Sequence, residues 1–145
     1  MRTTTQADLA VRLRLAIART ARRLRQEGGA ELSPSQTAAL STIDRHGPLT
    51  PSELAAREGI QRPTVTRIVS LLEERGLVHR TRDPHDRRSS LVALAPAGRE
   101  LLARGRTRKN AYLARRLREL DADERATLER AAGILERLLE EEGRR

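Results

Sequence analysis

"TPSELAAREGIQRPTVTRIVSLLEERGLVHR", residues 50–80, reads as two short helices joined by a tight turn. Thr50 is placed to cap the first helix, and Pro51 follows at the first helical position, where an N–H has no partner anyway. Glu53 stands three residues after the cap, where it can reach back, and Gly59 stops the helix. The second helix begins near Arg62–Pro63 and runs to Arg75, with Gly76 ending it. Counted from Pro51, a small residue stands at the fifth position (Ala55), Gly at the ninth (Gly59), and apolar residues at the fifteenth (Val65) and eighteenth (Ile68). This is helix-turn-helix spacing: the small residue lets the helices approach and the glycine permits the turn. Val65, Ile68, Val69 and Leu72 form the stripe to be buried. The opposite face carries Pro63, Thr66, Arg67 and Ser70, with Gln61, Arg62 and Thr64 at its N-terminal end. Short polar groups mixed with long cations suit base edges and phosphates in a major groove. A plain helical hairpin with an ordinary solvent face is the alternative.

The next stretch, "RTRDPHDRRSSLVALAPAG" (80–98), argues for the first reading. Two alternating runs, Leu77–Thr81 and Ser90–Leu94, flank a loop holding Asp83, Pro84, Asp86, Arg87 and Arg88. The pattern predicts a β-hairpin tipped with two adjacent arginines and nothing apolar to bury. Such a hairpin lies beside the duplex once the preceding helix sits in the major groove. Arginine is favoured in a narrow minor groove, which concentrates negative potential. A solvated loop that is merely Arg-rich is the alternative.

Helix signals flank this core on both sides. "LSPSQTAALSTIDRHG" (32–47) opens with Ser33 as cap, Pro34 next and Gln36 as the reciprocal partner; Ala39, Leu40 and Ile43 mark its apolar face. Asp121 and Glu124 stand in the same capping relation before Leu128, Ala131, Ala132, Leu135, Leu138 and Leu139. An N-terminal helix shows Leu9, Leu13, Ala16, Ile17 and Leu24 on one side. A long helix-prone run extends from Gly98 to Leu120, weakened at Gly105 by about 1 kcal/mol relative to Ala. The expected order is four helices, a strand, the arginine loop, a strand and two helices.

Composition narrows the function classes. The 145 residues suit one domain and carry a net charge of +9, with an isoelectric point near 11.4. A polyanionic partner is implied, although Arg outnumbers Lys 28 to 1 and so also fills faces that need only solubility. The distribution is more informative. Residues 96–120 hold eight basic and two acidic side chains, whereas 121–145 hold five and eight. No cysteine means no disulfide and no thiol nucleophile. One Tyr with no Phe or Trp disfavours the aromatic stacking used on single strands and RNA. His46, His79 and His85 lack ligand spacing, so no metal and no cofactor is expected. No catalytic constellation is found, since His85 beside Asp83 and Asp86 has no nucleophile, and the chain is not read as an enzyme. No apolar run approaches membrane-spanning length and no signal peptide is recognised, so a cytoplasmic protein without membrane contact is expected.

The chain resembles the MarR (multiple antibiotic resistance regulator) family through "LSPSQTAAL" (32–40), "LTPSELA" (49–55), "QRPTVTRIVSLLEERGLVHR" (61–80) and "DPHDRRSSLVALAPAGREL" (83–101). The last, with its Asp86–Arg87–Arg88 wing signature, is the most specific. The resemblance implies a mainly α fold. A winged helix-turn-helix lobe (33–96) with a small β-hairpin wing would join a helical dimerisation region built from the N- and C-terminal helices (1–32 and 97–145). It implies a homodimer on a pseudo-palindromic double-stranded operator, acting as a repressor, with Arg88 in the minor groove and Asp86 holding the wing in shape. It also implies release by a small aromatic or anionic effector. Tyr112 is the one aromatic available for such a pocket, with packing at the dimer interface as the alternative. Three positions depart from the pattern. Ala95 replaces the usual capping Thr, Gln61 replaces Ser or Thr, and Leu71 replaces a basic residue. Two other functions stay open: a basic protein binding nucleic acid without sequence preference, and a dimeric module that has lost DNA binding.

Overall fold

Side-chain caps set where four of the helices begin in this computed structural model, which describes residues 4–29 and 31–142. Helix α1 (Gln6–Glu27) starts at a capping box that the sequence reading missed. The Thr5 hydroxyl accepts the Asp8 N–H, and the Asp8 carboxylate accepts from the Thr5 hydroxyl and N–H. Those two donors, the hydroxyl first, hold the Asp8 carboxyl below its ordinary range. Helix α2 (Pro34–His46) has the expected reciprocal box between Ser33 and Gln36. Helix α3 (Pro51–Glu58) keeps half of its expected cap: the Thr50 hydroxyl accepts the Glu53 N–H, and no return bond from the Glu53 carboxylate forms among the described residues. Gly59 then takes the left-handed conformation (φ 64°), and the turn leads into α4 (Arg62–Glu74).

Strands β1 (Val78–Arg82) and β2 (Ser90–Leu94) pair antiparallel, with Arg80 opposite Val92 and Arg82 opposite Ser90. Leu77, expected as the first strand residue, precedes β1 instead. Its N–H closes α4 on the Leu72 carbonyl, and its own carbonyl accepts the Ala95 N–H. Leu49 makes a two-bond bridge to Val92 (3.0 and 2.7 Å), tying the segment before α3 to the hairpin. Helix α5 (Pro96–Arg118) follows with Ala95 before it, and only the Ala95 carbonyl, accepting the Arg99 N–H, marks the start. Gly98 lets α5 begin against the hairpin base, because a Cβ there would lie 2.2 Å from the Leu77 carbonyl oxygen. Gly105 does not break α5, and it sits where the helix passes the Gly28 carbonyl. Helix α6 is Ala122–Glu142.

The chain forms two compact units, Met1–Lys109 and Asn110–Arg145. The core of the first is Leu40, Ile43, Leu54, Val65, Val69, Leu72 and Val92, all under 2% exposed, with Ala39, Leu49, Ile68, Leu77, Val78 and Leu102 around them. The four residues read as the stripe of α4 are therefore its buried residues. In the second unit the Asp121–Glu124 capping box forms in both directions, and Arg125 donates to the Leu120 carbonyl. No residue of 122–140 is buried. The architecture is mainly helical with one small antiparallel sheet, the winged-helix arrangement expected from the sequence. Among the described residues no helix is long and apolar enough to cross a membrane.

Candidate nucleic-acid interface

The buried stripe of α4 turns a polar face outward. Gln61, Arg62, Pro63, Thr64, Thr66 and Arg67 are exposed and Ser70 is half-buried. These seven are not equivalent. Gln61 occupies the N-cap position, yet its amide makes no capping bond and is left to other partners. Arg62 donates to the Ser52 hydroxyl and so ties the start of α4 to α3. The Thr66 hydroxyl donates back to the Arg62 carbonyl (3.1 Å), which leaves its oxygen as an acceptor. Arg67 makes no hydrogen bond or ion pair among the described residues. Ser70 accepts from Arg80 of β1 (3.3 Å), a contact the sequence gave no sign of.

At the hairpin tip the two aspartates shape the loop. Asp83 Oδ1 accepts the His85 N–H (2.9 Å) and Asp86 Oδ1 accepts the Arg88 N–H (3.0 Å). Each is a side chain bonding the backbone two residues on, which fixes a tight turn. The Asp86 carbonyl also accepts the Ser89 N–H, and the Ser89 carbonyl accepts the Asp83 N–H. The loop is thus closed on itself while the Arg87 and Arg88 side chains stay exposed, with no hydrogen bond or ion pair among the described residues. Their guanidinium charges meet no counter-charge among the described residues. Leu71, the departure that replaces a cation, is half-buried, so the position contributes packing and no charge.

A second feature lies within the first unit. A cleft of about 550 Å³ has Leu32, Leu101 and Leu102 on its floor. Six cations line it: Arg22 and Arg25 from α1, and Arg104, Arg106, Arg108 and Lys109 from α5. Glu31 is its one acidic lining residue. Arg106 is satisfied by Asp44 at 2.7 Å, whereas the other five make no ion pair among the described residues. Every lining residue belongs to the first unit, so Tyr112 is not one of them. Tyr112 lies in the second unit, with the Arg115 guanidinium 5.7 Å from its ring centre. The charge excess of residues 96–120 was the only sequence signal of this cleft, because its walls come from distant segments.

A model of the MarR family matches residues 32–90. An HTH-type transcriptional regulator of Mycobacterium leprae is 38% identical over 136 residues, covering 93% of this chain and 95% of its own. A transcriptional regulator of Pseudomonas aeruginosa of known crystal structure is 37% identical with a TM-score of 0.82, over 93% of this chain and 97% of its own. A MarR family protein of Bacillus stearothermophilus is 27% identical with a TM-score of 0.78, over 96% and 98% of the two chains.

Proposed function

This chain belongs to the MarR family of DNA-binding transcriptional regulators, and we propose that it acts as a homodimeric repressor on a pseudo-palindromic operator. In this reading α4 enters the major groove. Gln61, Thr64, Thr66 and Ser70 face base edges there, and Arg62, Pro63 and Arg67 lie along the backbone. The wing brings Arg87 and Arg88 to the adjacent minor groove, with Asp86 orienting the turn. The observation that carries the reading is the pairing of a polar α4 face with a hairpin whose two arginines project without internal partners. Neither a structural hairpin nor a solvated loop requires both.

The dimer has its own support. Among the described residues the exposed large hydrophobic ones are Leu9, Val11, Leu13, Leu15 and Ile17 of α1, Leu117 of α5, and Leu128, Ile134, Leu138 and Leu139 of α6. None lies between residues 33 and 96, so the region assigned to DNA is free of them, and the N- and C-terminal helices need a cover. Burying one such side chain fully is worth about 1.5–3 kcal/mol. A second copy of the same helices supplies that cover by two-fold symmetry. Tyr112, with the Arg115 guanidinium over its ring on α5, then belongs to this dimerisation region. The cytoplasm, where chromosomal DNA lies, is the site of action.

Relief of repression is assigned to the cationic cleft. Five cations without ion-pair partners over a leucine floor suit a small ligand with an anionic head and an apolar body. The test of the whole reading is selection of bound duplexes from a random pool, followed by titration of the enriched sequence and a scrambled one. Enrichment of an inverted repeat bound at least about a thousandfold more tightly than the scrambled duplex is expected. Equal affinity for both would favour a basic protein without sequence preference, and no binding would favour a module that has lost DNA.

A further inference from the structure

Beyond their shared apolar core, the two DNA-reading elements are joined by one polar side chain to which the sequence reading gave no role. Arg80 lies in β1, two residues after buried Val78 and directly opposite Val92, which is fully buried. By strand alternation its stem therefore leaves from the core-facing side of the hairpin. From there its guanidinium crosses to α4. One terminal nitrogen donates to the Ser70 hydroxyl at 3.3 Å, and Nε lies 3.3 Å from Glu73 Oε2. Ser70 and Glu73 are three residues apart on α4 and so share a face. The guanidinium spans them, using separate donors of a planar fork for each. Its charge is already met by Glu73, unlike that of Arg67, Arg87 and Arg88.

We propose that Arg80 is a positioning residue: it clamps the base of the wing to the recognition helix, so that the major-groove and minor-groove contacts are made as one unit. This rests on the DNA-binding reading above and adds the device that sets the wing against α4. The clamp has a second effect on the reading face. With its oxygen accepting from Arg80, the Ser70 hydroxyl is left to donate elsewhere, so Ser70 favours an acceptor on the DNA, such as a guanine or adenine N7. The competing account is that Arg80 leaves Glu73 and contacts a phosphate directly.

A double-mutant cycle separates the two accounts. Affinity for the selected duplex is measured for the wild type, Arg80→Met, Arg88→Ala and the pair. Arg88→Ala is expected to weaken the wild type on the order of 10- to 100-fold per wing. In the Arg80→Met background, where the wing is no longer held, the same substitution should weaken binding by about threefold or less. Glu73→Gln is the second background, because it keeps Arg80 and removes only its ion pair. There too the Arg88→Ala ratio should shrink, and the ratio cancels the general gain from removing a negative charge. Additive effects in both backgrounds would overturn the clamp, as would tighter binding by Glu73→Gln with an undiminished Arg88 ratio, which is the signature of a freed phosphate contact. If Arg80→Met fails to fold, the Glu73→Gln ratio decides alone. Absence of wild-type binding would instead sink the DNA-binding reading itself, and the clamp with it.

Discussion

Replacing Arg88 by alanine removes a cation that makes no hydrogen bond or ion pair within the described protein, so the fold should not register the change. The Arg88 N–H that Asp86 Oδ1 accepts at 3.0 Å belongs to the backbone and survives in the variant. An exposed substitution of this kind alters stability by no more than about 0.5 kcal/mol. The effect should therefore fall on DNA alone. A minor-groove arginine is worth about 1–3 kcal/mol, and a symmetric dimer presents two wings, giving a loss of about 2–6 kcal/mol. At 1.4 kcal/mol per tenfold, this is about a 30-fold to 10⁴-fold weaker complex. The control is Arg137→Ala, an exposed arginine of α6 in the acidic C-terminal segment. The assay is an anisotropy titration of both variants on one selected duplex at two salt concentrations. Each lost phosphate neutralisation should flatten the salt dependence by about 0.9 in the log–log slope, or about 2 for two wings. Equal affinities for the two variants at both salts would refute the minor-groove role and with it the reading of the Asp86–Arg87–Arg88 turn.

The remaining expectations concern assembly, packing and chemistry. Sedimentation at micromolar concentration should give about twice the 16.2 kDa chain mass, and Leu138→Asp, at a position 56% exposed in the single chain, should shift the protein to monomer; a wild-type monomer would contradict this. Gly98→Ala should lower unfolding stability by about 1–3 kcal/mol, because its methyl group meets the Leu77 carbonyl and forces α5 away from the hairpin; an unchanged denaturant midpoint would show that the contact yields freely. Mild peroxide should leave operator affinity unchanged, since the chain has no cysteine and its one methionine is Met1, outside the described residues.

What the sequence disclosed follows the range of each interaction. The caps at Ser33 and Asp121 were legible because both partners lie within four residues and each satisfies the other. The α4 stripe was legible because burial repeats with the helical period. The hairpin was legible from the two alternating runs around a charged loop, although its first strand begins one residue late, Leu77 being taken up in closing α4. The Thr5–Asp8 cap was local too and was missed because the apolar pattern that drew attention to α1 begins after it. The contacts that stayed hidden are long-range. Leu49 meets Val92, Arg80 meets Ser70, Arg75 reaches the Glu31 carbonyl, and Thr42 donates to Glu58. None of these pairs has a spacing that a periodic pattern reveals. The cleft was hidden for the same reason, its cations being split between α1 and α5.

Dimethyl sulfate protection of the selected duplex by the dimer tests the central claim most directly, because methylation reads guanine N7 in the major groove and adenine N3 in the minor groove. The account predicts protection symmetric about the centre of the duplex. Two recognition-helix footprints should lie about one helical turn apart, flanked on each outer side by a minor-groove footprint that disappears in Arg88→Ala. A single asymmetric footprint, or flanking protection that persists without Arg88, would contradict it.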